Sequence, residues 1–201
     1  MTEQKTDGMS PIGRVSYPSV WKMNQMIGPD GQPAGKAKFE LTLLIDKDDP
    51  GLKTMKQRAQ AAIAKKWPDP AKRPKGLRSP FRDGDVDKPS NPEYEGKTFI
   101  AFRTEKKPGV VNAANEDIID QSEFYAGCFA RVTFNAYAYD TMGNKGVAFG
   151  LNNVQKVKDG EALGGNRRAA RDEFEPIESD DPGNYDDDGE DPFEDDGLGL
   201  D

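Results

Sequence analysis

The sequence predicts a mainly β domain with one helix, followed by an acidic segment of a different character. Alternating apolar and polar residues indicate the strands, and one stretch near residue 50 has a helical pattern. The charge is uneven, because residues 172–201 hold fifteen acidic side chains and no lysine or arginine. All 28 basic residues therefore lie in 1–171 with the other 21 acidic ones, a net charge of +7. We expect a folded domain at 1–171 and a disordered tail at 172–201, whose few apolar residues cannot offset its ordering entropy.

Two strand patterns occupy the first part of the domain. Residues 12–24 are rich in β-branched and aromatic side chains and predict a strand, in which Pro18 indicates an edge or a bulge. Residues 36–46 alternate with a period of two, which predicts a second strand with one apolar face. That face consists of Ala37, Phe39, Leu41, Leu43 and Ile45.

A helix follows the second strand. Asp49 and Pro50 predict its start, with aspartate at the N-cap and proline at the first helical position. It runs to about Lys66, and its apolar face holds Leu52, Met55, Ala59, Ala62 and Ile63. Residues 68–96 then predict a long irregular connection, and a loop of that length inside a compact domain is often functional.

The second part of the domain contains the longest strand pattern. Residues 97–111 predict a strand that is broken at Pro108-Gly109. In 123–140 the even positions are apolar and mostly small, whereas the odd positions carry larger polar and aromatic side chains. Residues 141–146 predict a hairpin turn with Asn and Gly at positive φ, and 146–159 the returning strand.

Together these elements favour a small closed sheet. Five or so strands with one helix and long loops fit an OB-fold-like five-stranded antiparallel barrel. A β-sandwich is the competing architecture, since periodicity does not separate the two.

The composition excludes several kinds of site. The absence of histidine removes Ser-His-Asp and Cys-His nucleophiles, and with Cys128 as the one cysteine it removes a structural zinc site. We therefore expect no enzyme, no metal and no cofactor. Residues 1–7 are polar and no stretch approaches the roughly 18 apolar residues of a membrane span. We expect an intracellular protein without a membrane partner.

One acidic cluster, in the connection 68–96, is the candidate for a metal site. A carboxylate-metal nuclease would draw on Asp83, Asp85, Asp87 and Glu95. A calcium loop is a poor match, because Lys88 stands where the turn glycine belongs and Tyr94 where the bidentate glutamate belongs.

Basic residues concentrate in one segment. Between Lys53 and Arg82 there are ten lysines and arginines and one acid, Asp69. This pattern indicates a surface that follows phosphates, where neutralisation releases counterions and makes affinity salt-dependent. The alternative is the solvated face of a helix, which is a weaker explanation for the cations of the loop.

Aromatic residues lie on the polar side of the 123–140 pattern. A strand with a complete apolar face does not need Tyr125, Tyr137 and Tyr139 on the other side. Rings beside Arg131 are typical of a platform for unpaired bases, and such stacking tolerates any base. The alternative is that the tyrosines pack under the 68–96 loop or against a dimer partner. Further aromatic candidates are Tyr17, Trp21, Phe81, Tyr94 and Phe99.

The acidic tail contains apolar residues that a partner protein could bind. Its end, 191–201, combines acid with Phe193, Leu198 and Leu200 and closes on Asp201. We expect this end to bind partner proteins, and the tethered polyanion to compete with DNA for a cationic surface. A plain solubility tail is the alternative.

Four stretches resemble a family of tailed-phage single-stranded DNA-binding proteins. They are RVSYPSVW (14–21), KFELTLLIDKDDP (38–50), the strand 127–140, and KGVAFGLNNVQKVKDGEALGG (145–165). The resemblance implies an OB fold, sequence-independent binding of single strands during phage replication or recombination, and a tail that recruits replication or recombination proteins. It implies the cytoplasm of the infected bacterial host as the location. The chain departs from the pattern in that Phe193 is internal, which weakens any role for a terminal aromatic.

We accordingly predict a non-enzymatic protein that coats single-stranded DNA. A homodimer is one assembly that the sequence allows. The stacking platform is predicted as Tyr125, Arg131, Tyr137 and Tyr139, and the phosphate contacts as Lys36, Lys38, Arg78, Arg82, Arg103 and Lys107, with Tyr17 and Trp21 as additional contacts. The rival function is an acidic DNA mimic that binds DNA-processing enzymes. The separation of charge argues against it, because a mimic carries its acid on a folded surface.

Overall fold

A computed structural model describes residues 5–33, 35–141 and 143–164. The domain boundary expected at residue 171 and the acidic tail lie outside these residues. The strands are β1 (Asp7–Met9), β2 (Gly13–Asn24), β3 (Lys38–Asp46), β4 (Arg82–Asp83), β5 (Lys97–Thr104), β6 (Gly109–Val111), β7 (Phe129–Thr141) and β8 (Asn144–Lys158). The helices are α1 (Gly51–Lys66) and the single turn α2 (Gly84–Asp87). Among the described residues, no helix has the length and apolar character needed to cross a membrane.

Five of the strands form a ring. Their order is β2-β3-β5-β8-β7, and β7 pairs again with β2, so the sheet closes on itself. All these pairs are antiparallel except β5 with β8, which is parallel. Two of the strand pairings are short. In one, Gly13 and Arg14 of β2 pair with β7, and in the other, Phe102 and Arg103 of β5 pair with β8. The fold is therefore mainly β and OB-fold-like, as predicted, although the ring is not a clean barrel.

The interior of the ring is filled by the alternate residues that the sequence pattern indicated. Phe39, Leu41, Leu43 and Ile45 of β3 are buried. At the centre, the ring of Phe149 lies 4.7 Å from that of Phe134 and 5.8 Å from that of Phe102, between centroids. Such aromatic contacts add to the stability given by burial of the rings.

Helix α1 covers one side of this core. It buries Leu52, Met55, Ala59, Ala61 and Ala62, close to the predicted face. The helix begins at Gly51, one residue later than predicted, because Pro50 occupies the N-cap. The Asp49 carboxylate still accepts a hydrogen bond from the Gly51 N–H at 2.7 Å.

A second, smaller core lies on the outer side of β3 and β5. Leu44, Tyr94 and Phe99 pack together there under the connection that follows β4. The Tyr94 hydroxyl hydrogen-bonds the Ser16 hydroxyl at 3.0 Å. This explains why part of the 68–96 connection is ordered: it supplies a buried aromatic residue of its own.

Two strand boundaries differ from the sequence prediction. The strand predicted from residue 123 begins at Phe129, because 121–123 form a 3-10 turn and Gly127 adopts φ +113°. A side chain at Gly127 would meet the carbonyl oxygen of Glu161 at 2.0 Å, so the chain turns there against the segment after β8. In the hairpin after β7, Gly143 has positive φ as predicted, whereas Asn144 is already part of β8.

Candidate nucleic-acid interface

A groove of about 900 Å³ runs over the outer face of β3, β5, β8 and β7. Its floor is made of small side chains. Thr42 lies beside Ala101 in the pairing of β3 with β5, and Ala148 lies beside Tyr137 in the pairing of β7 with β8. Because these residues project little from the sheet, the groove has depth between its taller walls.

Tyrosines rise from several sides of this floor. Tyr17, Tyr137 and Tyr139 line the groove, and Tyr17 and Tyr137 are 63% and 39% exposed. An exposed ring next to a polar groove has a free π face for another planar group.

The position of Tyr17 depends on a bulge in β2. The pairing of β2 with β3 shifts between Ser16 and Ser19, where Pro18 cannot donate a ladder hydrogen bond. Tyr17 itself has φ +47°, a left-handed conformation that is uncommon for a large side chain. The bulge predicted at Pro18 is thus confirmed, and bulges of this kind commonly redirect a side chain at a functional site.

Five cations line the same groove: Lys38, Arg78, Arg82, Lys88 and Arg103. No carboxylate is among its lining residues in the part of the chain that the structure describes. The guanidinium of Arg82 lies 4.8 Å from the centre of the Phe99 ring and 3.2 Å from the Asp87 carboxylate. The lining of the groove therefore places cationic side chains next to aromatic surface, and three of these five cations also pair with carboxylates outside the lining.

Arg103 is held in place by Glu40. Its Nε donates a hydrogen bond to the Glu40 carboxylate at 2.7 Å, and Asn24 donates to the other carboxylate oxygen at 2.8 Å. Burial opposes ionisation of Glu40, but the hydrogen bonds from Arg103 and Asn24 outweigh it and lower the pKa of Glu40. Partial burial raises the pKa of the neighbouring Tyr137 above its ordinary value, although the charge of Arg103 opposes this.

One wall of the groove comes from the long connection. The Arg78 N–H donates to the Lys145 carbonyl at 2.9 Å, and the Val147 N–H donates to the Arg78 carbonyl at 3.0 Å. This close approach requires Gly146, where a Cβ would lie 2.7 Å from both the Arg78 carbonyl oxygen and the Tyr139 hydroxyl. The hairpin and the connection thus hold Arg78 over the groove.

Ion pairs hold the segment 82–88, which contributes Arg82 and Lys88 to the lining of the groove. Lys47 Nζ lies 2.6 Å from a carboxylate oxygen of Asp83 and 2.6 Å from one of Asp85. These hydrogen bonds lower the pKa of both carboxyls and raise the pKa of Lys47. Three of the four acids that a nuclease would have used are therefore engaged in ion pairs, Asp83 and Asp85 with Lys47 and Asp87 with Arg82.

Seven of the twelve residues predicted to contact DNA line the groove. They are Tyr17, Lys38, Arg78, Arg82, Arg103, Tyr137 and Tyr139. Three others lie outside its lining: Lys36 is exposed with its Nζ 3.3 Å from Glu105, Lys107 is exposed between β5 and β6, and Trp21 packs partly against the core.

Tyr125 and Arg131 do not share a platform with Tyr137 and Tyr139, contrary to the predicted geometry. The Tyr125 hydroxyl is 3.0 Å from both the Asp159 carboxylate and the Gly160 carbonyl oxygen. Arg131 lines a separate cleft and donates to Gln155 Oε1 at 2.8 Å. For Tyr125 the reason for the error is the single strand assumed for 123–140, since the chain turns before Phe129. Arg131 lies within β7 but eight residues before Tyr139, so the two side chains reach different surfaces.

Sequence reasoning missed part of the groove. Lys88 was treated only as a mismatch to a calcium loop, yet it lines the groove. The floor residues Thr42, Ala101 and Ala148 were also missed. Small residues at the polar positions of otherwise bulky strands were the available signal. The predicted partner-binding residues Phe193, Leu198, Leu200 and Asp201 lie outside the described residues, and the homodimer stays a prediction.

Comparisons with known proteins identify related phage proteins. The model of the family described as "Enterobacter phage Enc34, ssDNA-binding protein" matches residues 10–186. The solved structure of the single-stranded DNA-binding protein from bacteriophage Enc34 in complex with ssDNA is 28% identical, with a TM-score of 0.67; the match covers 79% of this chain and 90% of that one.

Two further relatives were found. Putative protein p50 of Acyrthosiphon pisum secondary endosymbiont phage 1 is 27% identical over 173 residues, which is 82% of this chain and 90% of that protein. The single-stranded DNA-binding protein gp2.5 of bacteriophage T7 is 18% identical with a TM-score of 0.54, covering 81% of this chain and 91% of that one, a likeness of fold alone. Since the family model spans most of the sequence, the chain belongs to the family of the phage Enc34 single-stranded DNA-binding protein.

Proposed function

We propose that this protein binds single-stranded DNA without sequence preference, and that the groove over β3, β5, β8 and β7 is the binding site. One observation carries the proposal: exposed tyrosines and five cations line one groove that has no carboxylate among its described lining residues. Bases stack on Tyr17, Tyr137 and Tyr139, while the phosphates lie against the cations. The match to the phage Enc34 protein solved with ssDNA supports this assignment.

The geometry favours a single strand over a duplex. Stacking on a tyrosine needs a base whose face is free, and in a duplex both faces are covered by neighbouring base pairs. The small floor residues leave room for an unpaired base to enter between the walls. Because every base has a π face, the same contacts serve any sequence.

The biological role that we propose is coating and protection of exposed strands in phage replication or recombination, in the cytoplasm of the infected host. The protein acts by binding and not by catalysis. The excess of acid in 172–201, together with Phe193, Leu198 and Leu200, supports two roles for the tail. It recruits replication or recombination proteins, and as a tethered polyanion it competes with DNA for the groove.

The binding proposal is tested with the full-length protein and fluorescein-labelled oligonucleotides of equal length across a salt series. We expect tight, salt-dependent binding to oligo(dT) and to mixed-sequence single strands, and much weaker binding to a duplex. Log K should fall linearly with log salt concentration, by roughly 0.7 per neutralised phosphate. Equal affinity for single-stranded and duplex DNA would overturn the proposal.

The role of the tail needs a separate comparison. A full-length variant with the acids of 172–201 replaced by Asn and Gln, and a chain truncated before Asp172, are measured against the unaltered protein. Both should bind oligo(dT) more tightly, with the largest difference at low salt. Weaker binding by the neutralised variant would contradict competition between tail and DNA.

A further inference from the structure

A second cleft, of about 440 Å³, adjoins the groove. It lies between the segment 74–78 and the turn that joins β7 to β8. Its lining consists of Pro74, Lys75, Gly76, Arg78, Gly143, Asn144 and Lys145. Arg78 lines both the groove and this cleft, so a chain leaving the groove beside Arg78 enters the cleft directly.

The two sides of this cleft are held at a fixed spacing. The backbone hydrogen bonds of Arg78 to Lys145 and Val147 join the segment to β8 immediately beside the cleft. Gly76 and Gly143, on opposite sides, have φ +72° and +79°, and a Cβ at either would meet nothing within 4 Å. The cleft is therefore open to an incoming ligand, yet its walls do not depend on that ligand for their position.

The chemistry of the cleft differs from that of the groove. Among the residues that the structure describes, its charged lining residues are Lys75, Arg78 and Lys145, all cationic, and its lining includes no aromatic ring. Lys145 Nζ lies 3.1 Å from the Asp140 carboxylate, outside the lining, and its side chain is 42% exposed. A site with cations and no ring can neutralise phosphate, but it offers nothing on which a base can stack.

We propose that this cleft is an exit channel for the sugar–phosphate backbone of the bound strand. It takes the nucleotides that follow those stacked in the groove, through Lys75 and Lys145, with Arg78 at the junction. This inference rests on the proposed function, since the strand must first occupy the groove. It implies that nucleotides at one end of the strand contribute to affinity through their phosphates alone, whatever their bases.

The test uses the full-length protein and three labelled ligands. One is an oligo(dT) of about six nucleotides, within the range of roughly 4–16 that one OB fold accommodates. The other two carry four additional abasic nucleotides, at the 5′ end or at the 3′ end. We expect one extension, and not the other, to tighten binding on the order of tenfold at low salt. The same extension should steepen the salt dependence by about 1.4 in log K per log unit, as two phosphate contacts require.

Charge-matched variants locate the effect. Lys75→Gln with Lys145→Gln should abolish the gain from the extension and leave affinity for the short oligo(dT) unchanged. Lys5→Gln with Lys158→Gln removes two cations outside the groove and the cleft and should keep the gain. The thermal unfolding midpoint of each variant checks that its fold is intact.

Three results would overturn the exit channel while the proposed function stands: no gain from either extension, equal gain from both, or a gain that persists in the Lys75 and Lys145 variant. Failure of the short oligo(dT) to bind at all would instead overturn the proposed function.

Discussion

The two ends of segment 123–141 have similar sequences and different structures. Tyr137 and Tyr139, at the end of β7, line the groove, where Tyr137 remains partly exposed. Tyr125 precedes β7, and its hydroxyl bonds the chain that leaves β8 at Asp159 and Gly160. There the segment after β8 hydrogen-bonds the tyrosine, whereas Tyr137 lies beside the small residue Ala148 in the pairing of β7 with β8. The surrounding residues, and not the residue type, therefore decide whether a tyrosine stabilises the fold, as Tyr125 does, or stays accessible to a ligand, as Tyr137 does.

The two arginines of the outer face differ in the same way. Arg103 lies in the groove and is paired with a carboxylate, Glu40. Arg131 lies in another cleft and is bonded to an amide, Gln155. From Arg131 to Tyr139 is eight residues along β7, roughly 26 Å at about 3.3 Å per residue. One long strand therefore reaches two separate surfaces.

The largest effect is expected from the groove tyrosines. Replacing Tyr137 and Tyr139 together by alanine removes two stacking surfaces, each worth about 1–3 kcal/mol per base. Affinity for oligo(dT), measured by fluorescence anisotropy, should fall by a factor on the order of 100 or more. The double change to phenylalanine keeps the rings and should bind nearly as well as the unaltered protein. If the alanine variant is folded and binds oligo(dT) normally, Tyr137 and Tyr139 do not stack on bases, and their contrast with Tyr125 is lost.

The opposite result is expected at Tyr125. Tyr125→Phe keeps the ring but removes the hydroxyl that bonds Asp159 and Gly160, at a cost of about 1–2 kcal/mol in the free energy of unfolding. Urea unfolding measures this loss, and affinity for oligo(dT) should stay the same. Unchanged stability together with weaker DNA binding would show that Tyr125 belongs with the groove tyrosines after all.

A smaller effect should distinguish the two arginines. Arg103→Gln removes one groove cation, so the slope of log K against log salt should become shallower by about 0.7. Arg131→Gln removes the same charge from the other cleft and should leave that slope unaltered. If the two variants gave the same slope, Arg103 and Arg131 would contribute equally to phosphate binding. The groove would then not be the surface that contacts the phosphates in preference to the other cleft.

The smallest effect concerns pH. The pKa of Glu40 is below its ordinary value of 4.5 in the folded protein, so its pairing with Arg103 stabilises the fold above that pH. This stability is lost as pH falls through the folded-state pKa. Glu40→Gln should therefore lower the free energy of unfolding at pH 7, by less than about 1 kcal/mol since Arg103 is half exposed, and the difference should shrink below pH 4.5.

A matched change at the other arginine sharpens that measurement. Gln155, the partner of Arg131, does not titrate, so Gln155→Ala should give a stability difference that stays constant over the same pH range. A difference at Glu40→Gln that is equally constant would contradict the ionised pair.

Much of the fold is predictable from residue spacing. The period of two in 36–46 identifies the buried side of β3, and Pro18 identifies the bulge in β2. The sequence also predicts part of the groove's lining, since seven of the twelve residues predicted to contact DNA lie there. The prediction for Tyr125 was wrong because the alternating pattern, with Tyr125 at an odd position and Cys128 and Ala130 at even ones, continues across a turn. At that turn Gly127 packs so closely against the backbone of Glu161, far away in the sequence, that a side chain would not fit.

Local patterns thus establish the strands, the helix and the opposite net charges of residues 1–171 and 172–201, because each depends on neighbouring residues or on composition. The groove depends on contacts between distant segments. Arg78 reaches it by pairing beside Gly146, and Lys47 holds the segment that carries Arg82 and Lys88 through Asp83 and Asp85. The closing of the ring brings Tyr17 to the same groove as Tyr137. Such contacts have no local signature, since the same lysine or tyrosine can cover a core, hold a loop or face solvent. Their roles follow from which segments the closed sheet brings together.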